Sequence, residues 1–169
     1  IGKEYSDEFS VFIFYNAIQQ SISTIHNPII KKELLELDWF RVLVGSIQDL
    51  REIIKDNYCI LSKLYPLQKD FEEYQKIFED LYKDKLSSND KLKRNFFSIF
   101  TNINVCPYCN RNYIFNFEEN GHVKGQIDHF YYKKKYPYLA MSYYNLIPCC
   151  QTCNYIKGTF DAFTKNSIS

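Results

Sequence analysis

The sequence predicts an α+β chain that is mostly α, with a helical N-terminal region over residues 1–102 and a small cysteine-rich domain over residues 103–169. Three observations predict it. Apolar residues recur at three- and four-residue spacing through the first hundred residues, the period of helices with one buried face. After Asn102 that period gives way to short alternating runs around turn signals. The same final third carries two Cys-x-x-Cys pairs, Cys106–Cys109 and Cys150–Cys153.

Phe14, Ile18, Ile22 and Ile25 mark the first helix. Asn27-Pro28 reads as an N-cap followed by Pro at the first helical position, opening a short helix through Leu37. Asp38 is placed to cap the next, through about Ile54. Pro66 opens a further helix with Phe71, Tyr74, Ile77, Phe78 and Leu81 on one face, which Ser87-Ser88 ends. Leu92, Phe96, Ile99 and Phe100 form the last stripe. No repeat, low-complexity tract or long linker interrupts the chain. Beyond Asn102, residues 113–117 suit a strand, and Glu119-Asn120-Gly121 suits a turn because Asn-Gly accepts positive φ. Residues 123–130 return as the partner strand, irregular chain runs to about Tyr143, and Cys150 to about Phe160 fits one short helix. About 65 residues build only a small apolar core, so a metal staple is expected here.

Composition narrows the function classes. Apolar residues at 46% and charged residues at 24% are ordinary for a globular protein. No run of eighteen apolar residues occurs, so no membrane partner is expected. No basic-then-apolar segment opens the chain, which points to the cytoplasm. The first residue is Ile rather than Met, which leaves room for a fragment of a longer protein. Net charge is only +1, but residues 101–169 hold seven Lys or Arg against four Asp or Glu, a mildly basic half that leans toward nucleic acid. The aromatic fraction of 18% invites base stacking, yet Phe, Tyr, Asn, Ile and Lys share AT-rich codons, and codon bias with core packing is the plainer account.

Two residues between thiols let a tight knuckle aim both sulfurs at one point, and two knuckles complete a tetrahedral four-sulfur site. Cys106, Cys109, Cys150 and Cys153 are therefore expected to hold a structural Zn²⁺. Reduced core cysteines and disulfides are the competing readings, the latter disfavoured in a reducing compartment. Cys149, beside Cys150, is expected to be a small buried residue, and so is Cys59. His26 and His122 carry no surrounding pattern.

The segment Cys-Pro-Tyr-Cys-Asn, then Ile-Asp-His-Phe, then Tyr-Pro-Tyr-Leu-Ala, then Asn-Leu-Ile-Pro-Cys-Cys-Gln-Thr-Cys-Asn-Tyr-Ile-Lys-Gly resembles the zinc-stapled HNH endonucleases over residues 105–159. The resemblance implies a ββα-metal fold: a hairpin, a loop and a helix around one catalytic cation. It implies His129 as general base, Asp128 as a metal ligand, Asn145 as the residue bracing the loop and the His ring, and Asn154 as a second metal ligand. The chemistry agrees. Phosphodiester hydrolysis needs a water deprotonated near neutral pH, which suits an imidazole. A divalent cation stabilises the charge gathering on the phosphoryl and leaving oxygens. The oxygen donors of Asp128 and Asn154 favour Mg²⁺ or Mn²⁺. A single carboxylate leaves such a site at net +1, so weak Mg²⁺ binding is expected until a phosphate adds oxygens.

Arg111, Lys133, Lys134, Lys135 and Lys157 are candidate phosphate contacts, although a lysine run is as often a solvated loop. The family often has Pro three residues after the His, where this chain has Tyr132. The expected partner is DNA, with RNA left open. Residues 1–102 match no known pattern and are assigned to positioning the substrate or to binding a regulatory protein. The resemblance extends by analogy to bacterial antiviral defence or a mobile element. The alternatives are a non-catalytic zinc-stabilised nucleic-acid-binding module and a zinc-stapled protein-interaction domain. Both explain the cysteines, but neither explains Asp128, His129 and Asn154 together.

Overall fold

The structure, a computed structural model, describes the backbone of residues 11–64, 68–99, 103–114, 118–119, 122–123 and 125–160. Side chains at 57–64, 68, 98–99, 118–119 and 122–123 lie outside that description, which takes in the expectations for Cys59, Ile99 and the His122 ring; Pro66, Phe100 and residues 115–117 lie outside it altogether. The fold is α+β and mostly α.

Helix α1 (Val11–Ser23) buries Phe14, Ala17, Ile18 and Ile22, with Ile25 buried just beyond its end. Helix α2 (Pro28–Glu36) begins as its sequence predicts: Asn27 Oδ1 accepts the N–H of Ile29 at 2.9 Å and of Ile30 at 3.2 Å, and Pro28 opens the first turn. Asp38 caps α3 (Trp39–Val44), accepting the Arg41 N–H at 3.0 Å. The predicted single helix through Ile54 is in fact two, because the chain turns extended at Gly45 and restarts as α4 (Ile47–Leu64). Two local causes account for the break. A Cβ on residue 45 would lie 2.2 Å from the Arg41 carbonyl oxygen, so glycine is required. Ser46 and Asp49 form a reciprocal capping box, with the Asp49 N–H on Ser46 Oγ at 3.2 Å and the Ser46 N–H on Asp49 Oδ2 at 2.8 Å. Arg41 ties the two helices through Asp49 at 2.8 Å and through Glu52.

Helix α5 (Gln68–Tyr82) buries Tyr74, Phe78, Leu81 and Tyr82. It runs into a π-helical turn, Lys83–Ser87, closed by Ser88 N–H on Lys83 O at 2.8 Å, before α6 (Asp90–Ile99). Trp39 stacks on Phe78 with centroids 5.8 Å apart, and its indole N–H donates to Leu34 O at 2.7 Å. This satisfies the one polar atom of a large buried ring.

In the C-terminal third, β1 (Glu118–Glu119) pairs with β2 (His122–Val123) around the predicted turn, whose two central residues lie outside the described ones. Strand β3 (Gln126–His129) pairs antiparallel with β4 (Leu146–Cys149), Asp128 opposite Ile147 and His129 opposite Leu146. The segment expected as one strand, 123–130, is divided into β2 and β3; of its expected partner 113–117, residues 115–117 lie outside the described ones, and Tyr113 bridges Val105. Asp128 and His129 are buried, and Leu146, Pro148 and Cys149 bury with them. Helix α7 (Gln151–Lys157) follows β4 directly and packs on β3. The chain expected to be irregular to about Tyr143 holds one 3₁₀ turn, Pro137–Leu139, runs into a second, Tyr143–Asn145, and supplies core: Tyr131, Tyr136, Tyr138, Leu139, Ala140 and Met141 are buried. That core is continuous with the helices, for example through the Phe96 and Tyr143 rings at 6.3 Å. Among the described residues, no helix is long and apolar enough to cross a membrane.

Candidate functional site

The first cysteine pair sits on a turn. Cys106 N–H donates to Asn112 O and Asn110 N–H to Cys106 O, both at 2.8 Å, and the Val105–Tyr113 bridge closes the base. Asn110 takes φ +49°, a left-handed conformation that Asn tolerates better than most residues. The second pair uses a helix start: Cys150 is the N-cap of α7, and its Sγ accepts the Cys153 N–H at 3.4 Å. All four sulfurs lie within 4.8 Å of one another. A tetrahedral zinc site with Zn–S about 2.3 Å has sulfurs about 3.8 Å apart, so a small contraction completes it. The donor set is purely thiolate and closed, which fits a structural metal ion such as zinc.

Electrostatics point the same way. The Asn112 side-chain amide donates to Cys150 Sγ at 3.4 Å and is the main cause holding that thiol down to about 6. The backbone N–H groups of Asn112 and Arg111 lower Cys109. Cys153 is pushed up, by desolvation first and then by hydrogen bonds with the other three. Four mutually close thiols cannot all ionise without a cation among them; a dication removes that conflict. Cys149 is a buried neighbour whose thiol burial pushes up to about 12, as expected of a small core residue.

Beside this cluster, β3 presents Asp128 and His129 on its opposite faces, both buried. Asp128 Oδ2 accepts from the Tyr108 hydroxyl at 2.6 Å and from Lys157 Nζ at 2.9 Å, while Oδ1 accepts from the same ammonium at 3.1 Å. Lys157 also donates to His129 O. His129 Nε2 lies 3.1 Å from Ala140 O. A carbonyl only accepts, so Nε2 carries the proton and Nδ1 keeps the lone pair. The ring meets Tyr82 edge-on at 4.6 Å. Burial, then the charge of Lys133, brings its pKa down to about 3, so the imidazole is neutral at physiological pH.

Asn145 is fully buried and braces the loop. Its Oδ1 accepts the Tyr131 N–H at 2.7 Å, and its amide donates to Tyr131 O at 3.2 Å and Leu139 O at 3.0 Å. Leu139 O precedes the Ala140 carbonyl that fixes the His129 ring, so the brace reaches the imidazole through one peptide. Asn154 is half-buried and donates to Gln126 Oε1 at 3.2 Å, on the same face of β3 as Asp128. Lys133 is half-buried with its ammonium 4.9 Å over the Tyr82 ring, and Lys135 lies 5.3 Å over Tyr136. Lys134 and Arg111 are exposed.

Three participants escaped the sequence reading. The C-x-x-C spacing locates Tyr108 in the knuckle but gives no sign that its hydroxyl reaches Asp128. Tyr82 comes from a distant helix, and nothing local marks it. Strand β4 was hidden by Pro148, which an outer strand tolerates because its missing N–H need not face a partner. Among the described residues, the four cysteines are the sole group of three or more His, Cys, Asp or Glu side chains placed to share an ion. No protein-family model, curated protein or solved structure matches the chain.

Proposed function

We propose that the chain is a metal-dependent HNH endonuclease that hydrolyses DNA phosphodiesters. The observation that carries this reading is the strand–strand–helix unit β3–β4–α7, in which Asp128 and a neutral His129 stand side by side on one strand while the helix is anchored to a four-cysteine cluster. This order of hairpin, loop and helix supports the reading, being the one expected of a ββα-metal motif. The non-catalytic zinc-stabilised nucleic-acid-binding module is the second reading, and the Lys157–Asp128 pair favours it, since that pair neutralises the carboxylate without any metal.

Asp128 and Asn154 would hold Mg²⁺ or Mn²⁺; both offer hard oxygens, and the bond from Asn154 to Gln126 uses its nitrogen rather than its oxygen. The ion, when bound, would stabilise negative charge on the phosphoryl and leaving oxygens. His129 takes a proton from the attacking water at Nδ1. The Ala140 carbonyl fixes the tautomer that leaves the lone pair on this nitrogen, and an anionic phosphate and its water entering the site offset the burial and the Lys133 charge that depress its basicity. Asn145 keeps that carbonyl in place. Water adds to phosphorus, the bond from phosphorus to the 3′ oxygen breaks, that oxygen takes a proton from solvent, and the products carry 5′-phosphate and 3′-hydroxyl ends. Arg111 and Lys133 to Lys135 supply positive charge for the flanking phosphates.

A plasmid-nicking assay with Mg²⁺ or Mn²⁺ tests this. Wild type is expected to nick, and His129→Ala to lose nicking while zinc content and circular dichroism match wild type. A wild-type chain that cuts neither DNA nor RNA with any divalent cation hands the case to the binding module.

A further inference from the structure

Asp128 is the carboxylate of the proposed metal site, and its charge is already spoken for. Lys157 Nζ bonds both of its oxygens, at 2.9 and 3.1 Å, and adds the His129 carbonyl as a third acceptor. An ammonium has three protons, so this one is saturated by three oxygens. The pair is shielded: the side chains of Lys157 and Asp128 are 11% and 8% exposed. The exposed pair between Lys32 and Glu36, at 3.8 Å with 74% and 61% exposure, shows the contrast. Two opposite charges brought out of water hold each other far more firmly than a surface pair does. The cage itself, two carboxylate oxygens and a carbonyl, is the chemistry that a hard cation seeks.

Lys157 and a divalent cation therefore compete. With the ammonium in place, Asp128 and Lys157 sum to zero charge, and an incoming dication meets no net attraction. With it removed, the carboxylate is buried and uncompensated. Two features allow exchange without unfolding. The Tyr108 hydroxyl bonds Asp128 Oδ2 at 2.6 Å, independently of Lys157, so the carboxylate keeps an anchor when the ammonium leaves. Lys157 is the last residue of α7, followed by Gly158 at φ +47°, and its four-carbon stem is flexible.

We propose that Lys157 is a built-in counter-ion for Asp128 that a divalent cation must displace, and that the displaced ammonium becomes available to a phosphodiester. This rests on the nuclease reading for the place of the cation and deepens it: Lys157 is a positioning residue that sets metal affinity, and its role as a phosphate contact follows only once metal has entered.

The test uses the zinc-loaded chain without nucleic acid and follows free Mn²⁺ by electron paramagnetic resonance. Lys157→Met is expected to tighten Mn²⁺ binding by roughly tenfold or more over wild type, the response to freeing a buried carboxylate from its counter-ion. Adding Asp128→Asn to that variant is expected to abolish the gain. A Lys157→Met chain that keeps its zinc and its circular dichroism yet binds Mn²⁺ no more tightly than wild type overturns the proposal. If Lys157→Met fails to fold, acylation of wild-type amines decides: Lys157 should resist the reagent without Mn²⁺ and react with it, and unchanged reactivity overturns the proposal. The two ideas fail separately. Nicking by wild type with no gain in the Lys157→Met affinity sinks the competition alone. Tighter binding in Lys157→Met with no nicking by wild type sinks the nuclease alone.

Discussion

Asn145→Ala is the sharpest perturbation the structure offers, because a single buried amide satisfies three backbone groups that have no water nearby. Removing it orphans the Tyr131 N–H and takes one partner each from Tyr131 O and Leu139 O. A buried N–H left unpaired costs about 2 kcal/mol, and each carbonyl, with a second lone pair in hand, about 0.5–1 kcal/mol. The sum is about 3–4 kcal/mol, a large part of the roughly 5–15 kcal/mol that separates folded from unfolded chains. For a chain of this length that corresponds to a fall in Tm of about 10 °C. Urea unfolding followed by circular dichroism measures it, with free zinc buffered at one value for both proteins so that metal linkage cancels. Asn145→Asp separates the two halves of the brace. It keeps an acceptor for the Tyr131 N–H but sets a negative charge against two carbonyl oxygens, and is expected to be no more stable than the alanine variant at neutral pH. A loss under about 1 kcal/mol for Asn145→Ala would refute the accounting, since a buried N–H deprived of its acceptor and two carbonyls each short of a partner cannot cost so little unless water reaches them.

Replacing Cys106 and Cys150 together with Ser should remove bound zinc, read by metal analysis, together with the helical signal of α7; a double variant that keeps a full equivalent of zinc refutes the four-sulfur site. Asp49 should make stability acid-sensitive. Its carboxyl is held down to about 2 from an ordinary 3.8, first by the Ser46 hydroxyl and then by Arg41, so its contribution is complete above about pH 4 and is lost as pH falls through about 2. The gap in urea midpoint between wild type and Asp49→Asn should therefore close over that window, and a gap unchanged at pH 2 refutes the assignment.

How much of this could be read from residues alone varies with the range of the interaction. The Asn27-Pro28 start, the Asp38 cap and the buried stripes Phe14–Ile22 and Tyr74–Leu81 follow from spacing and caps, all within one or two turns of chain. The division at Gly45 was also legible, in Ser46 and Asp49 three residues apart, but the apolar period that continues through it concealed the break. Strand pairing was not. Pro148 disguises 146–149 as loop, and what joins that segment to β3 is shared burial, a property of the assembled core rather than of either segment. The cysteine cluster was legible because a metal site needs particular atoms at particular spacings. Tyr82 and Tyr108 were not, because a ring or a hydroxyl that reaches a site across the fold leaves no mark in the residues around it.

Helix α7 explains why the metal cluster and the Asp128 site share one frame. At seven residues it is too short to be stable alone, and it contributes no buried apolar side chain. Its inward stripe is Cys150, Cys153, Asn154 and Lys157, spaced at zero, three, four and seven, the positions that an ordinary surface helix fills with Leu or Ile. The outward residues Tyr155 and Ile156 are 87% and 76% exposed, so the apolar pattern is inverted relative to a packing helix. What holds the helix down is therefore sulfur at its first turn and charge at its last, with Asn154 on Gln126 between them. The first of these anchors is permanent once zinc is bound. The second is an ion pair, which under the proposal a competing cation would open, and it lies at the end of the helix where unravelling costs least. On the proposed reading, a metal-held N-terminus would keep the helix in register while its C-terminal lysine exchanged partners, and that division of labour requires both anchors on the same short element.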